Sequence, residues 1–266
     1  MVNIDTMPVS PCSPVVPYIG GKSRLAKHLI SRIEAVPHKT YAEPFLGAGG
    51  VFLRRSKRPP AEIVNDISDG VVTLFRILQR HYPYFIDFLR FRISSRTEFE
   101  RLMRQDPSTL TDLERAARFL YLQRTAFGGK VKGRNFAMDK GRGARFNITR
   151  LEPMLDELNE RLAGVVIERL PWQDFIRRYD GAQTLFYLDP PYWGNESDYG
   201  KGVFARADFA EMADILANIK GRFILSLNAV PEVYETFAGF DIEEVDNIYT
   251  INDGAAKAVK ELIISN

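Results

Sequence analysis

The sequence predicts an α/β protein: a mainly parallel sheet with helices on both faces, interrupted by a mainly helical, strongly basic insert. Apolar segments of strand length alternate with helical spacing towards both ends of the chain, the pattern of a parallel sheet. Two of these strands run directly into chemistry-bearing turns, Gly47-Ala48-Gly49-Gly50 and Asp189-Pro190-Pro191-Tyr192. The middle of the chain reads as helix and differs in charge. Residues 90–150 hold fifteen Lys and Arg against six Asp and Glu, whereas the remainder holds 21 against 28. The expected division is a first sheet-forming part over 1–68, the insert over 69–162 and a second sheet-forming part over 163–266.

Residues 40–45 form a short apolar strand that enters the glycine turn, and 51–55 carry helical spacing after it. A second strand, 62–65, ends at Asp66. From 69 to about 103 the apolar residues Val72, Phe75, Leu78, Phe85, Phe88 and Leu89 recur at helical spacing. Thr111 and Glu114 make a capping box that opens a helix over 111–124. Residues 151–162 read as another helix. Strands return at 165–168, 184–188, 223–227, 243–251 and 261–265, with helices over 172–179 and 207–219 separating the first three.

A chain of 266 residues with 45% hydrophobic content buries a core without staples. A single cysteine, Cys12, excludes an intrachain disulfide framework and a cysteine-based zinc site, and fits a reducing, cytoplasmic home. His28, His38 and His81 are too scattered to suggest a metal site. No apolar run approaches the ~18 residues of a membrane span, and the first ten residues lack the basic and apolar regions of a secretory signal. Between 115 and 150 ten basic residues face only Asp139. Glycines 128, 129, 133, 141 and 143 are interleaved there with Lys130, Lys132, Arg134, Lys140, Arg142 and Arg145. Such a loop brings backbone N–H groups and cations close to phosphates, so a polyanion partner is expected.

Three segments carry chemistry. Glu43-Pro44-Phe45-Leu46-Gly47-Ala48-Gly49-Gly50 reads as strand, glycine turn and helix start, a nucleotide cradle, with Asp66 nineteen residues after Gly47 placed to accept ribose hydroxyls. The third glycine of a dinucleotide fingerprint is replaced by Phe52, which tilts away from NAD. Asp189-Pro190-Pro191-Tyr192 suits work on an amine conjugated to a ring. The Asp189 carboxylate and Pro190 carbonyl can accept its two N–H bonds and aim its lone pair, the prolines fix the backbone, and Tyr192 offers a face for stacking. Tyr18-Ile19-Gly20-Gly21-Lys22-Ser23 is not a P-loop, because Val16 stands where that motif needs glycine; Tyr18 and Lys22 are candidates to flank a cofactor or base. Pro11-Cys12 precedes the glycine motif, the reverse of the order in cytosine-C5 methyltransferases.

In their order these segments resemble the Dam-type family of adenine-N6 DNA methyltransferases. The resemblance extends through Leu120-Tyr121-Leu122-Gln123-Arg124, Phe146-Asn147 and Glu261-Leu262-Ile263-Ile264, nearly the whole chain. It implies a Rossmann-like methyltransferase sheet of seven strands, S-adenosylmethionine as methyl donor, and a flipped adenine of double-stranded DNA as acceptor. It also implies a metal-free, monomeric enzyme of a bacterial cell or phage. Carried over by position, Tyr18, Lys22, Phe45, Gly47, Gly49, Asp66 and Asp189 line the cofactor site, with Trp172, Asp174 and Phe175 bounding the cofactor's adenine. Asp189, Pro190, Pro191 and Tyr192 are the catalytic set. Arg124, Phe127, Lys130, Lys132, Arg134, Arg145 and Asn147 are the expected DNA contacts, with Gln123, Asn135 and Asn147 as candidate base readers. GATC-specific members carry a Tyr-Asn pair where this chain has Phe127-Gly128, and an arginine where it has Lys132. That departure implies a different site, short or relaxed. The residues alone leave open cytosine-N4 or RNA-adenine methylation, NAD-dependent oxidation, and DNA binding without catalysis.

Overall fold

The strand entering the glycine turn is buried in the middle of a sheet, where its apolar run of β-formers belongs. The computed structural model describes residues 6–18, 22, 24–129, 133–138, 141, 143–196, 202–250 and 256–266. Among them, seven strands make the main sheet: β1 (Thr40–Glu43), β2 (Ala61–Asn65), β3 (Val166–Glu168), β4 (Thr184–Leu188), β5 (Arg222–Asn228), β6 (Asp241–Thr250) and β7 (Ala256–Ser265). Their spatial order is β3-β2-β1-β4-β5-β7-β6. The first five run parallel, and β7 enters antiparallel between β5 and β6. The order reverses between β1 and β4, so their carboxyl ends flank the crevice where open α/β sheets bind ligands. The glycine turn leaves from one of these ends and Asp189 from the other. A two-residue ribbon pairs Met7–Pro8 with Lys57–Arg58.

Nine α-helices are described: α1 (Ala26–Ala35), α2 (Asp69–Arg80), α3 (Tyr82–Leu89), α4 (Arg96–Arg104), α5 (Asp112–Thr125), α6 (Ile148–Arg161), α7 (Trp172–Tyr179), α8 (Ala207–Ala217) and α9 (Pro231–Thr236). The helical stretch after residue 69 is three helices, not one run. Pro83 lacks the N–H a continuing helix needs, and it sits in the first turn of α3, where that loss is harmless. The segment after the glycine turn is only a 3-10 turn, Phe52–Arg54. The Thr111–Glu114 capping box forms and opens α5.

Side chains alternate across the sheet with the two-residue period of a strand. Leu185 and Tyr187 join one apolar cluster and Phe186 and Leu188 the other. The first cluster continues into the insert through Leu74, Phe75, Leu120 and Leu155. The helices between β2 and β3 therefore share a core with one face of the sheet. Arg161 of α6 makes a two-pronged bond to Glu62 of β2 at 2.7 and 2.8 Å, and Arg55 adds a third at 3.0 Å. This buried network joins insert to sheet, and losing one partner would strand a charge.

Candidate functional site

Backbone geometry explains the glycines. Gly47 has φ +52° and Gly49 has φ +75°, the left-handed region that disfavours other residues. A Cβ on Gly47 would lie 3.2 Å from the Tyr18 ring, which covers the turn. A Cβ on Gly49 would lie 2.9 Å from Leu53, so Gly49 faces the core. The turn spends two of its N–H groups internally: Gly47 donates to Asp66 at 2.8 Å and Gly49 to the Leu46 carbonyl at 2.8 Å. A pyrophosphate cradle would keep such donors for the ligand. Ser68 N–H donates to the other Asp66 oxygen, also at 2.8 Å. Burial pushes the Asp66 carboxyl up to about 6, against these two bonds. Asn65 ties the region together, donating to the carbonyls of Pro44 and Leu170 and accepting from Leu170 N–H.

At the end of β4, Asp189 meets Lys22 from the N-terminal segment at 3.0 Å and the Ser226 hydroxyl of β5 at 3.1 Å. Both contacts fall on Oδ1, leaving Oδ2 without a hydrogen-bond partner among the described residues. Burial raises the Asp189 carboxyl above the usual range and Lys22 opposes the rise. Lys22 also lies 3.4 Å from Glu261 of β7. The Tyr192 hydroxyl donates to Glu261, Lys22 donates to that hydroxyl, and the Lys22 ammonium stands 4.0 Å from the Tyr192 ring centroid. Asn247 holds the second Glu261 oxygen at 2.6 Å. Glu43 at the end of β1 accepts the Tyr41 hydroxyl at 2.6 Å, and burial lifts its carboxyl to about 8, so it keeps its proton at neutral pH.

A cavity of about 980 Å³ opens on both turns. Tyr18, Lys22, Phe45, Gly47, Asp66, Trp172, Asp189 and Pro191 line it. Pro190 is buried and Tyr192 half-buried beside Lys22. Three expected cofactor contacts do not line it: Gly49, which faces the core, and two residues of α7. Phe175 is a core residue, fully buried against Tyr179, and Asp174 is exposed and paired with Arg177. On the amphipathic α7 only Trp172 of the three lines the cavity.

The insert departs further from expectation. Arg124 and Arg145 line the cavity. Phe127 is exposed at the mouth of a hairpin-like loop in which Ala126 bridges to Phe136. Arg134 is half-buried and bonds the Gln123 carbonyl oxygen at 2.6 and 3.0 Å, and burial lowers its pKa to about 10. Gln123 is fully buried and its amide donates to the carbonyls of Pro17 and Gly129, so it props the loop instead of facing a base. Asn147 caps α6 by accepting from Thr149 N–H at 3.0 Å. Asn135 is exposed. Lys130 and Lys132 lie outside the described residues, as do Ile19, Gly20, Gly21 and Ser23.

The motifs assign no site role to Ser226, Asn65, Arg54 or Glu261, although Glu261 heads one of the segments that carry the resemblance. The visible signal for Glu261 is a carboxylate heading the apolar run Leu262-Ile263-Ile264, all buried. Among the described residues no group of three His, Cys, Asp or Glu side chains is placed to hold a metal, and no helix is long and apolar enough to cross a membrane.

The sequence matches the family model for D12 class N6 adenine-specific DNA methyltransferases over residues 18–251. It is similar to the type II methyltransferase M.CviBI of Paramecium bursaria Chlorella virus NC1A, 22% identical with 89% of this chain and 90% of the relative covered. It is likewise similar to the type II methyltransferase M1.LlaDCHI of Lactococcus lactis subsp. cremoris, at 25% with 95% of each covered. The DNA adenine methylase of Salmonella typhi is 26% identical, with 83% of this chain and 84% of that one covered.

Proposed function

The chain belongs to the D12 class of N6 adenine-specific DNA methyltransferases, and from that premise we propose how its residues divide the transfer of a methyl group to adenine N6. The observation that carries the reading is Asp189: Lys22 and Ser226 hold Oδ1, while Oδ2 is left for an amine in a cavity shared with the glycine turn.

The cavity suits S-adenosylmethionine better than a dinucleotide. Two of the glycine turn's N–H groups, those of Gly47 and Gly49, are already used, which weakens a pyrophosphate site, while the Asp66 carboxylate retains lone pairs for ribose hydroxyls. Tyr18, Phe45 and Trp172 supply aromatic walls. When bound, the cofactor supplies a sulfonium-activated methyl group. Asp189 Oδ2 then accepts one N–H of the adenine amine and the Pro190 carbonyl the other, which turns the nitrogen lone pair towards the methyl carbon. Tyr192 stacks on the flipped base, its hydroxyl pinned by Glu261. The amine nitrogen would take the methyl carbon as the sulfonium S–C bond breaks, leaving a neutral thioether, and would shed a proton. Asp189, whose carboxyl burial raises, receives it.

The basic insert holds duplex DNA through phosphates, and Phe127 is the wedge that fills the stack left by the flipped base. Gln123 and Asn147 are engaged in holding the fold, so few short polar side chains remain to read base edges. The recognition site is short or relaxed and differs from GATC. Expression in a host lacking adenine methylation, with genome-wide mapping of modified adenines, tests this. Adenine methylation at a short motif is expected; confinement to GATC overturns the specificity, and unmodified DNA overturns the reaction.

A further inference from the structure

Arg54, Arg124 and Arg145 line the cavity that holds Asp189, and none forms an ion pair among the described residues. Their N–H groups go to backbone carbonyls instead. Arg54 donates to Gly50 at 2.6 Å. Arg124 donates to Val15 at 3.2 Å and to Arg145 at 3.3 Å, and Arg145 donates to Ala126 at 3.4 Å. A carbonyl fixes a guanidinium's direction without neutralising it, and of five N–H donors Arg54 and Arg145 direct one each and Arg124 three to carbonyls. Burial lowers the pKa of Arg54, and burial with the neighbouring Arg145 lowers that of Arg124. Both shifts have the sign of burial working against a positive charge. Lys22, on the same cavity, is by contrast matched by Asp189 and Glu261.

The three arginines arrive from separate places: the turn after the glycines, the last turn of α5 and the loop before α6. Arg54 lies beside the Lys22 segment, since a Cβ on Gly50 would lie 3.5 Å from the Lys22 backbone nitrogen and 3.7 Å from an Arg54 Nη. We propose that Arg54, Arg124 and Arg145 form an oxyanion site for a phosphodiester of the DNA strand that carries the target adenine. Arg54 is then a DNA contact contributed by the sheet, not by the insert. This rests on the reading of the protein as a DNA methyltransferase. The cofactor's carboxylate is an oxyanion too, but one fork satisfies a carboxylate, whereas a phosphodiester backbone engages several. Two of the three arginines also belong to the basic insert. A phosphate gripped here sets how far the flipped nucleotide travels towards Asp189.

The test is Arg54→Gln and Arg54→Lys in the full chain, with a fluorescently labelled unmethylated duplex titrated across a salt series and S-adenosylmethionine titrated by calorimetry. Arg54→Gln is expected to weaken duplex binding several-fold and reduce the slope of log K against log salt by about 0.9, the loss of one phosphate contact. Arg54→Lys should restore the slope, and cofactor affinity should match wild type in both variants. An unchanged slope with weakened cofactor binding overturns the proposal in favour of the carboxylate. No change in either titration overturns it outright, and so does loss of both with a lowered melting temperature. Wild-type protein that shows no salt-dependent duplex binding would instead sink the DNA reading on which the proposal stands.

Discussion

The corner at the end of β4 and the arginine lobe beside it share one cavity and differ in what their charges touch. In the corner, Lys22 is shared between Asp189 and Glu261, and Tyr192 and Ser226 add hydroxyls. In the lobe, three guanidiniums meet, among the described residues, backbone carbonyl oxygens and no carboxylate. The corner sets one ammonium against two carboxylates and presents one spare carboxylate oxygen, which suits the N–H of a neutral amine. The lobe is unbalanced and suits an anion. A nucleotide carries both, an amine on its base and phosphate on its backbone, and the cavity separates the two in the same way.

The sharpest way to break this contrast is to remove the carboxylate that meets the amine. Asp189→Ala is expected to lower kcat by at least about a thousandfold while duplex affinity stays within about twofold, because the lobe is untouched. Single-turnover methylation and anisotropy measure the two. Glu261→Gln keeps a side chain of the same shape and removes the charge that shares Lys22. Lys22 then falls wholly to Asp189 and competes with the amine, so kcat should drop about 10- to 100-fold with KM for DNA unchanged. An equal rise in KM would move Glu261 from the corner's chemistry to DNA binding.

Glu43 gives the corner a pH signature that the lobe lacks. Its folded pKa, about 8, stands above the ordinary 4.5, so the native state holds a proton the unfolded chain gives up. The penalty is absent below about pH 4.5 and grows as pH rises towards 8. Glu43→Gln still accepts the Tyr41 hydroxyl, so it should flatten this decline and raise the melting temperature at pH 9 by about 5 °C. A melting temperature equally pH-dependent in the variant contradicts the assignment. The smallest expected effect concerns Asn147. Asn147→Ala removes a helix cap, about 1 kcal/mol, a shift of about 2–4 °C for a chain of this size, with the methylated sequence unchanged. A changed sequence would make Asn147 a base reader after all.

The two walls also differ in how much of them the chain order reveals. Asp189 to Tyr192 follow β4 without a break, and the glycine turn follows β1, so strand and chemistry are contiguous and both could be read directly. Glu261 reaches the corner because β7 runs antiparallel beside β5, pairing Asn228 with Glu261, and Ser226 because β5 runs parallel beside β4, pairing Leu225 with Leu188. No local pattern encodes that neighbour. In the insert, the count of cations was correct but their duties were hidden. Arg134 and Gln123 bind each other, because a loop rich in glycine has few side chains to hold it in place. Asn147 carries a visible signature, an Asn before a helix, and the apolar spacing of that helix begins at Ile148, three residues before the start expected at 151. Arg54 sits in a turn whose helical spacing ends after three residues, and nothing in the pattern aims it at the cavity.

The central claim is that the spare oxygen of Asp189 receives the amine of a DNA adenine. It is tested most directly by incubating the protein and Asp189→Ala with methyl-labelled S-adenosylmethionine and unmethylated duplex, then digesting the DNA to nucleosides. The account predicts label in N6-methyladenine for the wild-type chain and none for the variant. Label in N4-methylcytosine, or N6-methyladenine formed at an undiminished rate by Asp189→Ala, would contradict it.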